Sequence, residues 1–281
     1  MAMNLNEKVD RKFPIRCVQT KTGTISYRES GNSNDKAIVL LHGIGSGSGS
    51  WLGQLDDLSA DYHIIAWDAP GYGSSSALPN DNPSADDYAE ELINFLISLE
   101  IEPYIIIGHS LGALMAGAYA ARNAKIGLAM ILANPASGYG NADKSERDEK
   151  LSTRLERMKV LGPKGLAETR SSALLSGNAS SEALELVRWN MSMLSVRGHS
   201  QAAHMLAGGN LLDDATQYAG PVLVMCGSSD TVTPEKGTKK IAAAYPNGHY
   251  KTLPCVGHAS YVEDPLLFNS TIINFVGSLN V

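Results

Sequence analysis

Cysteine is scarce in this chain of 281 residues: there are three, Cys17, Cys226 and Cys255. An odd number without metal-like spacing argues against a disulfide framework and against a cysteine-built metal site, and it fits a reducing, cytoplasmic setting. Long apolar runs are missing too. No stretch approaches the roughly 18 residues needed to span a bilayer. The opening MAMNLNEKVDRKFPIR lacks the apolar segment of a secretory signal. There is no long basic run and the net charge is −6, so neither nucleic acid nor a membrane is expected as a partner. What remains is an ordinary globular composition, 43% hydrophobic and 19% charged. It suits one large α/β core carrying an inserted subdomain.

Short apolar runs punctuate the chain: AIVLLHG (37–43), YHIIAWD (62–68), YIIIGHS (104–110), IGLAMILAN (126–134) and PVLVMCG (221–227). Runs that are apolar throughout, rather than alternating, belong to parallel strands covered on both faces. Between them, SADDYAEELINFLISLE places Ser84 and Asp87 in capping-box spacing ahead of a helical apolar period. DPLLFNSTIINFVGSL (264–279) closes the chain as an amphipathic helix. Alternating units of this kind predict a mostly parallel, doubly wound sheet.

One region breaks the alternation. Residues 137–212 contain no strand-like run, only four charged, helix-forming segments. The expected organisation is therefore a core of residues 1–136 and 213–281, with a helical cap at 137–212 inserted between core strands.

Within PYIIIGHSLGALMAGAYAA, a buried run leads into Gly-His-Ser-Leu-Gly and then into a stretch of small residues. Gly-x-Ser-x-Gly alone is a weak pattern. Between a strand and a helix it has the placement of a nucleophile elbow, where Ser110 would sit on a strained turn. The small residues Ala113, Ala116, Gly117 and Ala120 would let the helix approach the sheet closely. A second Gly-His-Ser at Ser200 has neither the preceding strand nor the following glycine, and is expected to have no chemical role.

A serine hydroxyl needs a base, and the base needs an orienting carboxylate. PVLVMCGSSDTVTP ends a strand and delivers Asp230, with Thr233 and Pro234 reading as the start of the next helix. HYKTLPCVGHASYVEDP follows a further short strand and places His258 in a loop. The order Ser, Asp, His is thereby met. His42 is expected to order the glycine-rich loop, His109 to pack away from the serine, Asp68 to stabilise a turn, and Asp264 to start the last helix. The developing oxyanion needs donors. Leu111 N–H is one. HGIGSGSG supplies the other, with Ile44 first and Gly45 as the runner-up.

With these residues assembled, the chain resembles the α/β-hydrolase superfamily through LLHGIGSGSGSW, AWDAPGYGSS, IIGHSLGA, VMCGSSDTVTP and VGHASYVEDP, in that order. Within it the chain is similar to the lid-bearing carboxylesterases, enol-lactonases and meta-cleavage C–C hydrolases. The resemblance implies a Ser110–His258–Asp230 triad, a cap over the pocket, and neither organic cofactor nor metal. The expected activity is cleavage of a small ester or (enol-)lactone, by a monomer or a homodimer. Meta-cleavage hydrolases resemble one another in an asparagine before the serine and a tryptophan after the histidine. Here those positions are His109 and Ala259, which ranks C–C cleavage below ester hydrolysis. A ligand-sensing protein on the same scaffold is the alternative of a different class. For the pocket the sequence suggests Trp189, Met191, Arg188 and Met205, with Met158 and Met193 as further apolar candidates. Arg154, Arg157 and Arg197 join Arg188 as candidate carboxylate clamps.

Overall fold

The computed structural model describes residues 5–123 and 128–279. Among them eight strands form one sheet: β1 (Arg16–Gln19), β2 (Thr24–Ser30), β3 (Ala37–Leu41), β4 (His63–Trp67), β5 (Pro103–His109), β6 (Ala129–Ala133), β7 (Val222–Gly227) and β8 (Gly248–Leu253). Their order is β1-β2-β4-β3-β5-β6-β7-β8. β2 runs antiparallel to both of its neighbours, and every other pairing is parallel. The five apolar runs correspond to β3 through β7. Ile126 and Gly127, the start of the run expected for β6, lie outside the described residues.

Successive residues of these strands serve opposite faces. Val39, Leu41, Ile65, Trp67 and Ile106 pack with Tyr88 and Leu92 of one helix, α3 (Ala85–Ser98), and with Leu114 of another, α4 (Gly112–Arg122). Ile38, Leu40, Ile64, Ala66, Ile105 and Ile107 pack on the other side against α2 (Leu52–Asp57) and α11 (Pro265–Ser278) through Leu55, Phe268 and Ile272. A strand buried on both faces has no polar position to alternate with, which is why its sequence is apolar throughout. Ser84 and Asp87 form the expected capping box at the start of α3. A short helix, α1 (Leu5–Lys12), precedes the sheet.

Between β6 and β7 the chain makes only helices: α5 (Lys144–Arg170), α6 (Ser181–Ser192), α7 (Val196–Gly208) and α8 (Leu211–Ala215). The first two expected segments are one element, bent where Gly162 adopts φ 62° and ψ 178°. The expected boundary between residues 212 and 213 falls inside α8. That helix packs on the core: a Cβ at Gly117 of α4 would lie 2.4 Å from Leu211.

The strand order reverses around β3, whose neighbours are β4 on one side and β5 on the other. The carboxyl ends of β3 and β5 thus meet at a topological switch point, where loops leave a crevice. After β7 come α9 (Glu235–Ala244), β8 and the short α10 (Ser260–Glu263). Among the described residues no helix is long and apolar enough to cross a membrane.

Candidate active site

β5 ends at His109 and α4 begins at Gly112, leaving Ser110 to make the turn with φ 52°. A β-carbon at positive φ is strained and persists only when the surroundings over-determine it. Here they do. Ser110 N–H donates to the Ala133 carbonyl at 3.0 Å, and the Ser110 carbonyl accepts from Ala113 and Ala136 at 3.1 and 3.0 Å. The flanking glycines are forced by contact: a Cβ at Gly108 would meet the Gly112 carbonyl oxygen at 2.4 Å, and one at Gly112 would meet that of Leu41 at 2.2 Å. Neither leaves room for a side chain.

Asp230 sits in the turn after β7. Its Oδ1 accepts from the backbone N–H groups of Val232 at 2.7 Å and Thr233 at 3.0 Å. Oδ2 accepts from Asn134 Nδ2 and Thr233 Oγ1, both at 2.8 Å, and lies 2.9 Å from His258 Nδ1. On the far side of the imidazole, His258 Nε2 is 2.9 Å from Ser110 Oγ. The three side chains predicted from widely separated motifs are one hydrogen-bonded line, all buried. Burial alone would raise the Asp230 carboxyl. The hydrogen bonds from His258, Asn134 and the Thr233 backbone together outweigh it and hold the group well below the usual carboxylate range.

Three neighbours of this line have roles the sequence did not reveal. Thr233 is not the cap of α9, which starts at Glu235 with Pro234 in the capping position. Its hydroxyl instead meets Asp230 Oδ2, the Asn134 carbonyl at 3.0 Å and His258 Nδ1 at 3.2 Å. Asn134, fully buried at φ 48°, binds Asp230 and accepts from Ser260 Oγ at 2.7 Å. An asparagine directly after an apolar strand was the available signal, since asparagine tolerates the left-handed region. His109 does more than pack: its Nε2 lies 2.9 Å from the His258 carbonyl oxygen, and its ring contacts those of Trp51, Tyr261 and His258. Burial, with His258 beside it, lowers its pKa to about 3, so this ring stays neutral.

The loop after β3 passes close over the serine; a Cβ at Gly43 would be 3.1 Å from Ser110 Cβ, and one at Gly45 would be 3.0 Å from Met191 Cε. His42 holds this loop, with Nδ1 bonded to the Gly43 carbonyl at 2.9 Å and Nε2 accepting from Ala69 N–H at 3.0 Å. Tyr72 OH donates to the Ile44 carbonyl at 3.0 Å. Asp68 accepts from Ser48 N–H at 2.7 Å and Ser26 Oγ at 2.8 Å, tying the segment after β3 to β2. Asp264 caps α11 through Leu267 N–H. Among the described residues, no backbone carbonyl engages the Ile44 or Leu111 N–H.

A cavity of about 580 Å³ opens here, bordered by Ile44, Gly45, Ser110 and His258 below and by α5, α6 and α7 above. Met191 borders it, together with Arg154 and Arg157. Trp189, Arg188 and Met205 do not. Trp189 packs over Gly49, where a Cβ would be 2.7 Å from its ring; Arg188 points to solvent; Met205 is buried in the core beneath α7. Met158 is likewise core, Met193 is exposed, and Arg197 pairs with Asp81 at 3.4 Å. Ser200 lies on α7 away from the cavity. Among the described residues no cluster of three or more His, Cys, Asp or Glu could hold a metal ion.

Comparison with known proteins agrees with this architecture. RutD of Escherichia coli, named as a carbamate hydrolase, is 26% identical over 271 residues, covering 86% of this chain and 91% of that protein. The enol-lactonase of Burkholderia xenovorans LB400 superposes with a TM-score of 0.84 at 21% identity, over 94% of this chain and all of its own. The esterase RhEst1 of Rhodococcus sp. ECU1013 gives 0.79 at 26% identity, over 95% of this chain and 99% of its own. Residues 36–265 match the family described by the alpha/beta hydrolase fold, and the chain belongs to that family.

Proposed function

We propose that the protein is a serine hydrolase that cleaves a small carboxylic ester or (enol-)lactone through an acyl-enzyme. The observation that carries this reading is the line Asp230–His258–Ser110, with spacings of 2.9 and 2.9 Å, ending on a strained serine at the floor of a cavity. Ser110 Oγ attacks the acyl carbonyl as His258 Nε2 takes its proton. Asp230, held ionised, stabilises the imidazolium. Leu111 and Ile44 N–H groups receive the oxyanion, each contributing about 100-fold or more to turnover. The imidazolium then protonates the departing oxygen, and water repeats the cycle on the acyl-enzyme. The helices of 137–212 act as a cap that sets which substrate enters.

The names of the similar proteins support an acyl carbonyl as the target: an esterase, an enol-lactonase and a carbamate hydrolase. The last favours a second reading, attack on a carbamate carbonyl by the same serine. C–C cleavage ranks below both, because His109 and Ala259 replace the asparagine and tryptophan of that group.

The test compares wild type with Ser110→Ala on short 4-nitrophenyl esters, lactones and a carbamate, and follows fluorophosphonate labelling of the Ser110 peptide by mass. Hydrolysis and labelling should both vanish in the variant. Equal rates for the two proteins on every substrate would sink the proposal.

A further inference from the structure

The cavity roof is charged in a way that the Ser110 chemistry does not need. On α5, Lys150, Arg154 and Arg157 border the cavity. Their spacing of four and then three residues puts them on one helical stripe. Arg170 also borders it, thirteen residues beyond Arg157. In a straight helix that separation is a rotation of about 220°, which would turn Arg170 away from the others. The break at Gly162 re-aims the second half of the helix. A Cβ at Gly162 would meet nothing within 4 Å, so the glycine is there for its backbone angles and not for packing.

These cations are largely unspent. Among the described residues, the side chains of Lys150, Arg157 and Arg170 have no ion pair or hydrogen bond. Arg154 donates to the Lys150 carbonyl at 3.0 Å and to Tyr139 OH at 3.3 Å, which fixes its guanidinium at the cavity edge. Among the described residues, Glu149 is the one acidic residue bordering the same space. Four positive groups against one negative is a strong local excess on a chain of net charge −6. Opposite them on α7, His199 also borders the cavity, is 8% exposed, and has a buried Nδ1 without a partner. Burial, with Arg154 nearby, lowers its pKa to about 4, so it adds a polar nitrogen without adding charge.

We infer that this roof is an anion subsite, formed by Lys150, Arg154, Arg157, Arg170 and His199, and that the substrate is an ester or lactone bearing a free carboxylate. The inference rests on the hydrolase reading above and adds the substrate's charge. A guanidinium fork matches a carboxylate in geometry, and a partly closed cavity strengthens the attraction relative to open water.

The test measures kcat/KM by pH-stat for monoethyl glutarate and ethyl pentanoate, which differ by a carboxylate in place of a terminal methyl. Wild type should prefer the anionic ester by about tenfold or more, the size of a charge-assisted hydrogen bond. That ratio should shrink toward one in Arg157→Glu and in Arg170→Gln, with folding checked by circular dichroism. In wild type alone, about 0.5 M salt should also shrink it. Ser110-dependent turnover of both esters with no anionic preference, or a preference indifferent to salt and to both substitutions, overturns the subsite. Absence of Ser110-dependent turnover is a failure of the parent reading instead. Calorimetric binding of glutarate to Ser110→Ala then decides the subsite by itself: loss of binding in Ser110→Ala/Arg157→Glu supports it, and no binding to Ser110→Ala overturns it.

Discussion

The Asn134 side-chain amide donates a 2.8 Å hydrogen bond to Asp230 Oδ2, the same oxygen that lies 2.9 Å from His258 Nδ1. Asn134 comes from the end of β6 and Asp230 from the turn after β7, so two adjacent strands fix one carboxylate. The asparagine also accepts from Ser260 Oγ, in the segment that follows His258. It therefore connects Asp230 to the loop of His258 without touching the cavity.

Asn134→Ala should accordingly act on turnover and not on substrate binding. Removing a hydrogen bond to a charged group costs about 1.5–3 kcal/mol, or about 10–100-fold when it is fully expressed in the transition state. The expected outcome is a kcat lower by at least about tenfold on the best ester, with KM nearly unchanged. Steady-state kinetics on a variant with wild-type circular dichroism checks this. A KM effect with intact kcat would place Asn134 in binding instead.

The difference between what could be read along the chain and what could not has a physical origin. β3 to β7 are legible because burial on both faces leaves them apolar throughout, apart from His63 at the start of β4 and His109 at the end of β5. β1 and β2 were not anticipated: RCVQ is mostly exposed and TISYRES mixes buried and half-buried positions, as an antiparallel margin allows. Ser110, Asp230 and His258 were each readable because each follows a strand in the expected order. Asn134 and Thr233 were not, since asparagine and threonine at a strand end are equally ordinary as turn and cap residues. The cavity lining was the least legible. Met191 faces it while Met205 packs into the core, and which face of a cap helix turns inward is decided by tertiary packing that local periodicity does not encode.

Gly162 offers a test of the bend in α5. Its angles, φ 62° and ψ 178°, fall in a region open almost only to glycine. Gly162→Ala should cost about 1–3 kcal/mol from backbone strain alone, since a methyl there has open space around it. In thermal denaturation the midpoint should drop by about 2–4 °C for each kcal/mol. An unchanged midpoint would show that residue 162 leaves these angles at little cost, for the extended region that Pro163 after it favours.

Stability should also fall on mild acidification, because burial lowers the pKa of four histidines, His42, His109, His199 and His204, of which His109 and His199 are moved furthest among those with a value. The folded pKa of His109 is lowered from 6.5 to about 3 and that of His199 from 6.5 to about 4, each chiefly by burial. Both values lie below the unfolded one, so between them the unfolded chain binds more protons than the folded one. Stability then rises with pH through that window and is lost as pH falls from 6.5. Each group contributes up to about 1.4 kcal/mol per pH unit. Asp230 adds a separate loss further down: its folded pKa is depressed from 3.8, so its contribution is present above that value and disappears below it. Urea unfolding between about pH 4.5 and 6 should show stability rising with pH in wild type. The rise is less steep than the histidines alone would give, because burial raises the Asp214 carboxyl to about 6 and so opposes them. His199→Gln should remove about one proton's worth of the rise. A slope identical in the two proteins would mean that His199 is not held neutral in the fold.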